Sequence, residues 1–218
     1  MNKNYISEDD DLRKLAGDFL AKYNLHPYEY GKWYKKAYNV VNRIIALHKT
    51  DNNEWRRISL LWEKKNSEQF KEDIFKFLKE LTIAGIIDKI GELANKYELP
   101  VGIVQKIISL IIKYIFCYYI AFENIHSGDI ANTFLWIANK SIRNQLPIPI
   151  DSRILYSLHK MGTTDLPITV YGKYAKMGDT PWTRIGLDDY RKIQDTVRKL
   201  GTEIEMSPIE FEMKKLWK

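Results

Sequence analysis

Apolar residues recur along this chain mostly at intervals of three and four, which places them on one stripe of an α-helix. Over residues 11–23 the stripe is Leu12, Leu15, Ala16, Phe19 and Leu20. Over 34–48 it is Ala37, Val40, Val41, Ile44, Ile45 and Leu47, and over 70–81 it is Phe70, Ile74, Phe77, Leu78 and Leu81. A short amphipathic helix is predicted over 88–97, ended by Pro100 and Gly102. Residues 104–119 are apolar almost throughout, which predicts a helix buried on all sides. Further helices are predicted over 134–142, from Asp151 onward, over 188–200 and over 208–217. Pro147 and Pro149 force an extended path before Asp151. No stretch alternates well enough for an independent sheet, although residues 168–171 have extended character. The predicted class is all-α.

Composition narrows this picture. With 218 residues, 45% of them apolar, the chain can bury a full core as one domain or as two small lobes sharing a cleft. A formal net charge of +6 and a pI near 9.1 favour an anionic partner. Cys117 is the only cysteine, so a disulfide framework and an all-cysteine zinc or iron–sulfur site are excluded. It lies in an apolar run and reads as a buried thiol. His26, His48, His126 and His159 show no ligand spacing, and no metal or cofactor is expected. Residues 1–11 are polar and acidic, without a signal-peptide core. The run 107–122 is interrupted by Ser109, Lys113 and aromatic residues, and reads as too polar and short to span a membrane. These features predict a soluble, cytoplasmic monomer with no membrane partner.

The chemistry concentrates in two segments. In the first, Leu99-Pro100-Val101-Gly102 forms a tight turn, and Val104-Gln105-Lys106 opens the apolar helix. Backbone N–H groups at such a helix start suit a phosphate, which makes Val101, Gly102 and Val104 candidate phosphate contacts. Lys106 is placed in the first helical turn among apolar neighbours, the poorly solvated setting an amine nucleophile needs. In the second segment, Leu146-Pro147-Ile148-Pro149-Ile150 delivers Asp151 to the N-cap of the next helix. There it would cap N–H groups near Arg153 and Ile154, and it is also placed to aim a carboxylate into a cleft. Position alone fits an ordinary helix-start lysine and a structural cap as well as a catalytic pair.

Taken together, these residues resemble the helix-hairpin-helix DNA glycosylases. The Leu-Pro…Lys turn, the apolar helix and the Ile-Asp-Ser-Arg helix start are the shared marks. The archaeal 8-oxoguanine glycosylase branch is similar in more detail. Its catalytic lysine opens an apolar helix, a second lysine follows as Lys113 follows Lys106, and its aspartate ends a segment like Ile148-Pro149-Ile150-Asp151. The resemblance covers about residues 95–160. It departs from the family where the usual Gly-Val-Gly hairpin is reduced to Val101-Gly102. Lys106 and Asp151 are also 45 positions apart, a longer separation than in the family, which implies an insertion within about 118–143. The single cysteine rules out the four-cysteine cluster of endonuclease III-like members.

The resemblance implies a two-lobed helical fold with its site between the lobes, all of 1–218 forming one glycosylase-like domain. Within it, the helix-hairpin-helix would lie at about 88–119 and the aspartate segment at 146–158. It implies excision of a modified base, either 8-oxoguanine in repair or a hypermodified viral base in antiphage defence, with Lys106 and Asp151 catalytic. Schiff-base lyase action would follow if the lysine is the nucleophile. The partner would be double-stranded DNA carrying a modified base or an abasic site, on the nucleoid when the enzyme is active. The phosphate contacts at Val101, Gly102 and Val104 would then be to the DNA backbone, with Arg153 and Lys113 as further DNA-contact candidates, Lys113 also as a backup lysine or a snorkelling structural residue. A flipped base needs an aromatic or apolar sandwich. Of Trp33, Trp55, Trp62, Trp136, Trp182 and Trp217, the loop residue Trp182 has the best case for exposure. Trp217, Glu212 and Gln105 complete the candidate base pocket. The clusters Lys32-Lys35-Lys36, Arg56-Arg57 and Lys64-Lys65 fit phosphate contacts or solvated helix faces equally. The alternative reading is a non-catalytic helix-hairpin-helix DNA-binding protein.

Overall fold

The computed structural model describes residues 4–22, 67–82, 85–121 and 134–216. The predicted helix at 34–48, the basic clusters within 32–65, Trp33, Trp55, Trp62 and Trp217, and His26, His48 and His126 lie outside the described residues, as do residues 122–133 of the expected insertion. The described chain is mostly helical with one two-stranded sheet. It divides into two compact units, one comprising Met1–Leu81 with Ile111–Ala138, the other Thr82–Leu110 with Asn139–Lys218.

In the first unit, α1 (Asn4–Lys22) buries Leu12, Ala16, Phe19 and Leu20, the stripe its spacing predicts. α2 (Ser67–Lys79) buries Phe70, Ile74 and Leu78, with Leu81 just beyond its end. The Trp136 indole N–H donates to the carbonyl of Leu78 at 2.6 Å, satisfying one of the acceptors that a helix C-terminus leaves open. Residues 111–118, the second half of the long apolar helix, are buried on every side, and the Phe19 and Tyr114 rings meet at 4.9 Å.

In the second unit, α3 (Ile86–Tyr97) buries Ile86, Ile87, Ile90, Leu93 and Ala94. It stops where Glu98 turns left-handed (φ 52°, ψ 41°), and the Leu99 N–H closes back on the Ala94 carbonyl at 2.9 Å. After Pro100, α4 begins at once (Val101–Ala121). The Pro100 carbonyl accepts from the N–H groups of Ile103 and Val104, so the helix starts three residues before its predicted position. By length and composition α4 is able to cross a membrane, but most of it is buried within the protein, as in a core helix. Where one helix was predicted over 134–142 there is a 3-10 turn, Leu135–Ala138, and a short helix α5 (Lys140–Arg143) capped by Asn139. α6 (Ser152–Lys160) begins at Asp151, and α7 (Leu187–Thr202) buries Tyr190, Ile193, Gln194 and Val197. The last helix, α8 (Pro208–Phe211), opens on a Ser207/Glu210 capping box and runs into a π-helical turn, Glu212–Leu216.

One small sheet accompanies the helices, compatible with the all-α expectation, and its first strand lies where residues 168–171 read as extended. β1 (Ile168–Tyr171) and β2 (Tyr174–Met177) form an antiparallel hairpin, paired Ile168 to Met177 through Tyr171 to Tyr174. Its two-residue turn is Gly172-Lys173, where Gly172 takes φ +58°, a conformation that favours glycine. The hairpin packs on α6. Ala175 and Met177 are buried while Tyr174 is exposed, an alternation too short to register in the sequence.

Candidate active site around Lys106 and Asp151

Residues 146–150 belong to no helix or strand and are buried, a costly state for a backbone that must satisfy its polar groups. Two prolines remove two N–H donors from the problem. The other three donors all have partners. Leu146 donates to the Arg143 carbonyl at 3.2 Å, Ile148 to Gln194 Oε1 at 3.0 Å and Ile150 to Gln105 Oε1 at 3.1 Å. Both glutamines also return a bond, Gln194 Nε2 to the Ile148 carbonyl at 2.8 Å and Gln105 Nε2 to the Ile150 carbonyl at 2.8 Å. Each side-chain amide thus pairs with the backbone as a neighbouring strand would. Gln105 Nε2 also donates to the Gly102 carbonyl at 2.9 Å, so its amide is fully engaged and the side chain is buried. That corrects its expected place in a base pocket. Gln105 is a clamp between α4 and the segment that ends in Asp151.

Asp151 leaves this segment in extended conformation (φ −144°, ψ −178°) and caps α6. Its two oxygens divide the work. Oδ1 accepts from the backbone N–H groups of Arg153 and Ile154, both at 3.0 Å. Oδ2 accepts from Lys106 Nζ at 2.6 Å. The cap fixes the plane of the carboxylate, and the plane fixes where Oδ2 points. The lysine side chain is 12% exposed and the aspartate 26%, so the pair is largely, not wholly, withdrawn from water. Burial pushes the Asp151 carboxyl up. The adjacent ammonium, its hydrogen bond and the two capping N–H groups outweigh that and hold it below the ordinary value of 3.8. At neutral pH it is therefore an anion.

Lys106 is the sixth residue of α4 and stands in the second turn, not the first. Its Nζ lies 6.0 Å from the centre of the Trp182 ring. Trp182 begins a 3-10 turn, Trp182–Arg184, that is seated against the start of α4. A Cβ on Gly102 would stand 2.1 Å from the Trp182 carbonyl oxygen and 2.7 Å from the Thr183 carbonyl carbon. Gly102 is thus required for backbone approach, and it is buried under that turn. Val104 is fully buried as well, and Val101 is partly exposed. These placements correct the expectation that Gly102 and Val104 face phosphates. The role of Gly102 is to let the 182–184 turn sit against α4 beside Lys106.

The other candidates fall apart from this arrangement or on its margin. Arg153 is exposed on α6. Lys113 belongs to the core of the first unit, 1% exposed with Nζ 4.5 Å from the centre of the Phe19 ring, which corrects its assignment as a DNA contact and as a snorkelling lysine. Glu212 is buried and opens the π-helical turn. His159 is exposed, and among the described residues no three acidic, histidine or cysteine side chains group to hold a metal ion. Cys117 is buried.

One contributor went unnoticed in the sequence. Gln194 sits in the apolar stripe of α7 between Tyr190, Ile193 and Val197, and a polar side chain at a core position signals a buried partner. Tyr190 belongs to the same layer. Its hydroxyl meets Ser109 Oγ at 3.1 Å, and burial pushes its ionisation far up, so it acts as a neutral hydrogen-bonding group.

Comparison with protein-family models, with curated proteins and with solved structures finds no match to this chain.

The arrangement is chemically specific without them. It holds a primary amine against an anchored carboxylate, with an indole alongside and the pair at the limit of solvent access. Such a set can deliver an amine to an electrophilic carbon and can stabilise a positive charge developing there.

Proposed function

We propose that this protein is a DNA glycosylase of the helix-hairpin-helix type that removes a modified base and forms a Schiff base through Lys106. The observation that carries the reading is the 2.6 Å contact between Lys106 Nζ and Asp151 Oδ2, made by residues 45 positions apart. The turn between α3 and α4, the proline segment that aims Asp151, and Trp182 beside the amine support the same reading.

A base within a duplex is out of reach, so the nucleotide must be flipped out before reaction. The ammonium proton on Nζ passes to solvent as the sugar enters, leaving a free amine pair on Nζ, while the Asp151 carboxylate stays an anion. That pair forms the bond to C1′ while the glycosidic electrons leave with the base, which is protonated from solvent. The Asp151 region stabilises the positive charge that gathers on the sugar in between. Transfer of a proton from Nζ to the ring oxygen O4′ lets the C1′–O4′ bond break, which opens the sugar and gives the protonated imine. Loss of a C2′ proton then expels the 3′ phosphate and nicks the strand. A base of either proposed kind, oxidised or hypermodified, leaves through the same steps.

The same ion pair also fits a purely structural tie between α4 and α6 in a non-catalytic DNA-binding protein, and one experiment separates the two. Borohydride is added to the protein with abasic-site DNA, for the intact chain, Lys106→Gln and Asp151→Asn. A covalent adduct that disappears in Lys106→Gln is the expected result. An adduct that persists in Lys106→Gln removes Lys106 as the nucleophile. No adduct, together with no free base released from DNA carrying oxidised or hypermodified bases, overturns the glycosylase reading.

A further inference from the structure

The hairpin that packs on α6 carries its own chemistry. Its register places Thr169, Tyr171, Tyr174 and Lys176 on one face, because side chains alternate along a strand and paired residues share a face. Ala175 and Met177 are on the buried face. Tyr171 and Tyr174 are directly opposite each other beside the turn, and they are 49% and 45% exposed. Few large apolar side chains among the described residues are as exposed as these.

Each ring has an ammonium over it. Lys176 Nζ lies 4.4 Å from the centre of the Tyr171 ring, and Lys173 Nζ lies 5.6 Å from that of Tyr174. The supporting helix repeats the pairing, with Lys160 Nζ 4.8 Å from the Tyr156 ring. From Ser152 to Met177 the chain has four lysine or arginine residues (Arg153, Lys160, Lys173 and Lys176) and one acid, Asp165. Exposed paired rings under cations, in a segment almost without acids, complement a polyanion that also presents flat apolar faces. A DNA strand has both properties: phosphates for the lysines, and unstacked bases for the rings. An exposed cation–π contact is weak, so the lysines can leave the rings for phosphates as a strand arrives.

We propose that the Tyr171/Tyr174 face of the hairpin, with Lys173 and Lys176, is a second DNA contact that holds an unpaired or locally opened strand. This rests on the DNA-directed reading of the Lys106 site. α6 links the two, since it begins at Asp151 and supports the hairpin.

The test measures binding of a fluorescein-labelled, undamaged single-stranded oligonucleotide by anisotropy across a salt series. The Tyr171→Ala/Tyr174→Ala variant is expected to lose about fivefold or more in affinity with its salt slope unchanged. Lys173→Gln/Lys176→Gln is expected to flatten the slope by about 1.4, from about 0.7 per phosphate contact. Tyr171→Phe/Tyr174→Phe keeps the rings, and should retain binding if stacking and not hairpin folding is being read. Intact protein that does not bind the oligonucleotide at low salt, either the alanine or the glutamine variant binding like the intact protein, or polyglutamate competing as well as the oligonucleotide, would overturn the proposal. Because the DNA is undamaged, the result is independent of base removal. Hairpin-dependent binding with neither borohydride trapping nor release of a free base leaves this contact standing and removes the glycosylase, and trapping without hairpin-dependent binding does the reverse.

Discussion

Replacing Gln105 by methionine tests how Asp151 is held. Methionine nearly conserves the volume, so the change removes hydrogen bonds without opening a cavity. It strands the N–H and the carbonyl of Ile150, which the glutamine amide meets at 3.1 and 2.8 Å in a place where Ile150 has no exposure to water. Each stranded group costs about 1–3 kcal/mol. Part of that returns because the desolvated amide itself is gone, leaving a net loss of about 2–4 kcal/mol. At about 2–4 °C per kcal/mol for a chain of this size, melting should fall by about 5–15 °C. Thermal and urea unfolding followed by circular dichroism read the change. Ile150 leads directly into Asp151, so the rate of borohydride trapping should also fall in the fraction that remains folded. A loss below about 0.5 kcal/mol, the range of ordinary surface changes, would refute the argument that this amide substitutes for a strand partner.

Two further outcomes follow from the same geometry. Gly102→Ala should destabilise by about 2 kcal/mol or more, although glycine to alanine within a helix normally gains about 1 kcal/mol. The new methyl group meets the backbone of Trp182 and Thr183, which cannot turn aside. Gly91→Ala, where the neighbour is the flexible Leu187 side chain at 2.8 Å, should cost clearly less, and unfolding of the pair in parallel checks the contrast. The Asp151 carboxyl is held below its ordinary 3.8 in the native state, so its contribution is complete above that value and is lost as pH falls through the lowered one. Asp151→Asn keeps an acceptor for the cap but removes the charge. The gap in melting temperature between the intact protein and this variant should therefore be constant near neutral pH and close in acid. A gap that widens in acid would contradict the assigned shift.

The helical stripes were legible because a helix repeats within four residues, and a dozen residues suffice to reveal it. α2, α3 and α7 are close to their expected places for that reason, while α1 ends near its expected place but starts at Asn4 and not near residue 11. Of the hairpin only the extended character of residues 168–171 was legible, since four-residue strands give only two alternations and the packing on α6 decides the pairing. Local signals also suggested Asp151 as a cap and Pro100 as a break, and both positions are so used. They misplaced the functions of neighbours. Gly102, Val104 and Lys113 read as DNA-contact candidates and Gln105 as a base-pocket candidate, and the structure turns all four inward.

What the sequence determined by itself was the helical content, the proline segment and the residue types able to do amine–carboxylate chemistry. Only the tertiary structure decided that Lys106 and Asp151 touch. Proximity across 45 positions is a property of the buried backbone between them and not of either residue. Ile148 and Ile150 could be buried only where Gln194 and Gln105 met their polar groups, and that requirement fixes where Asp151 emerges.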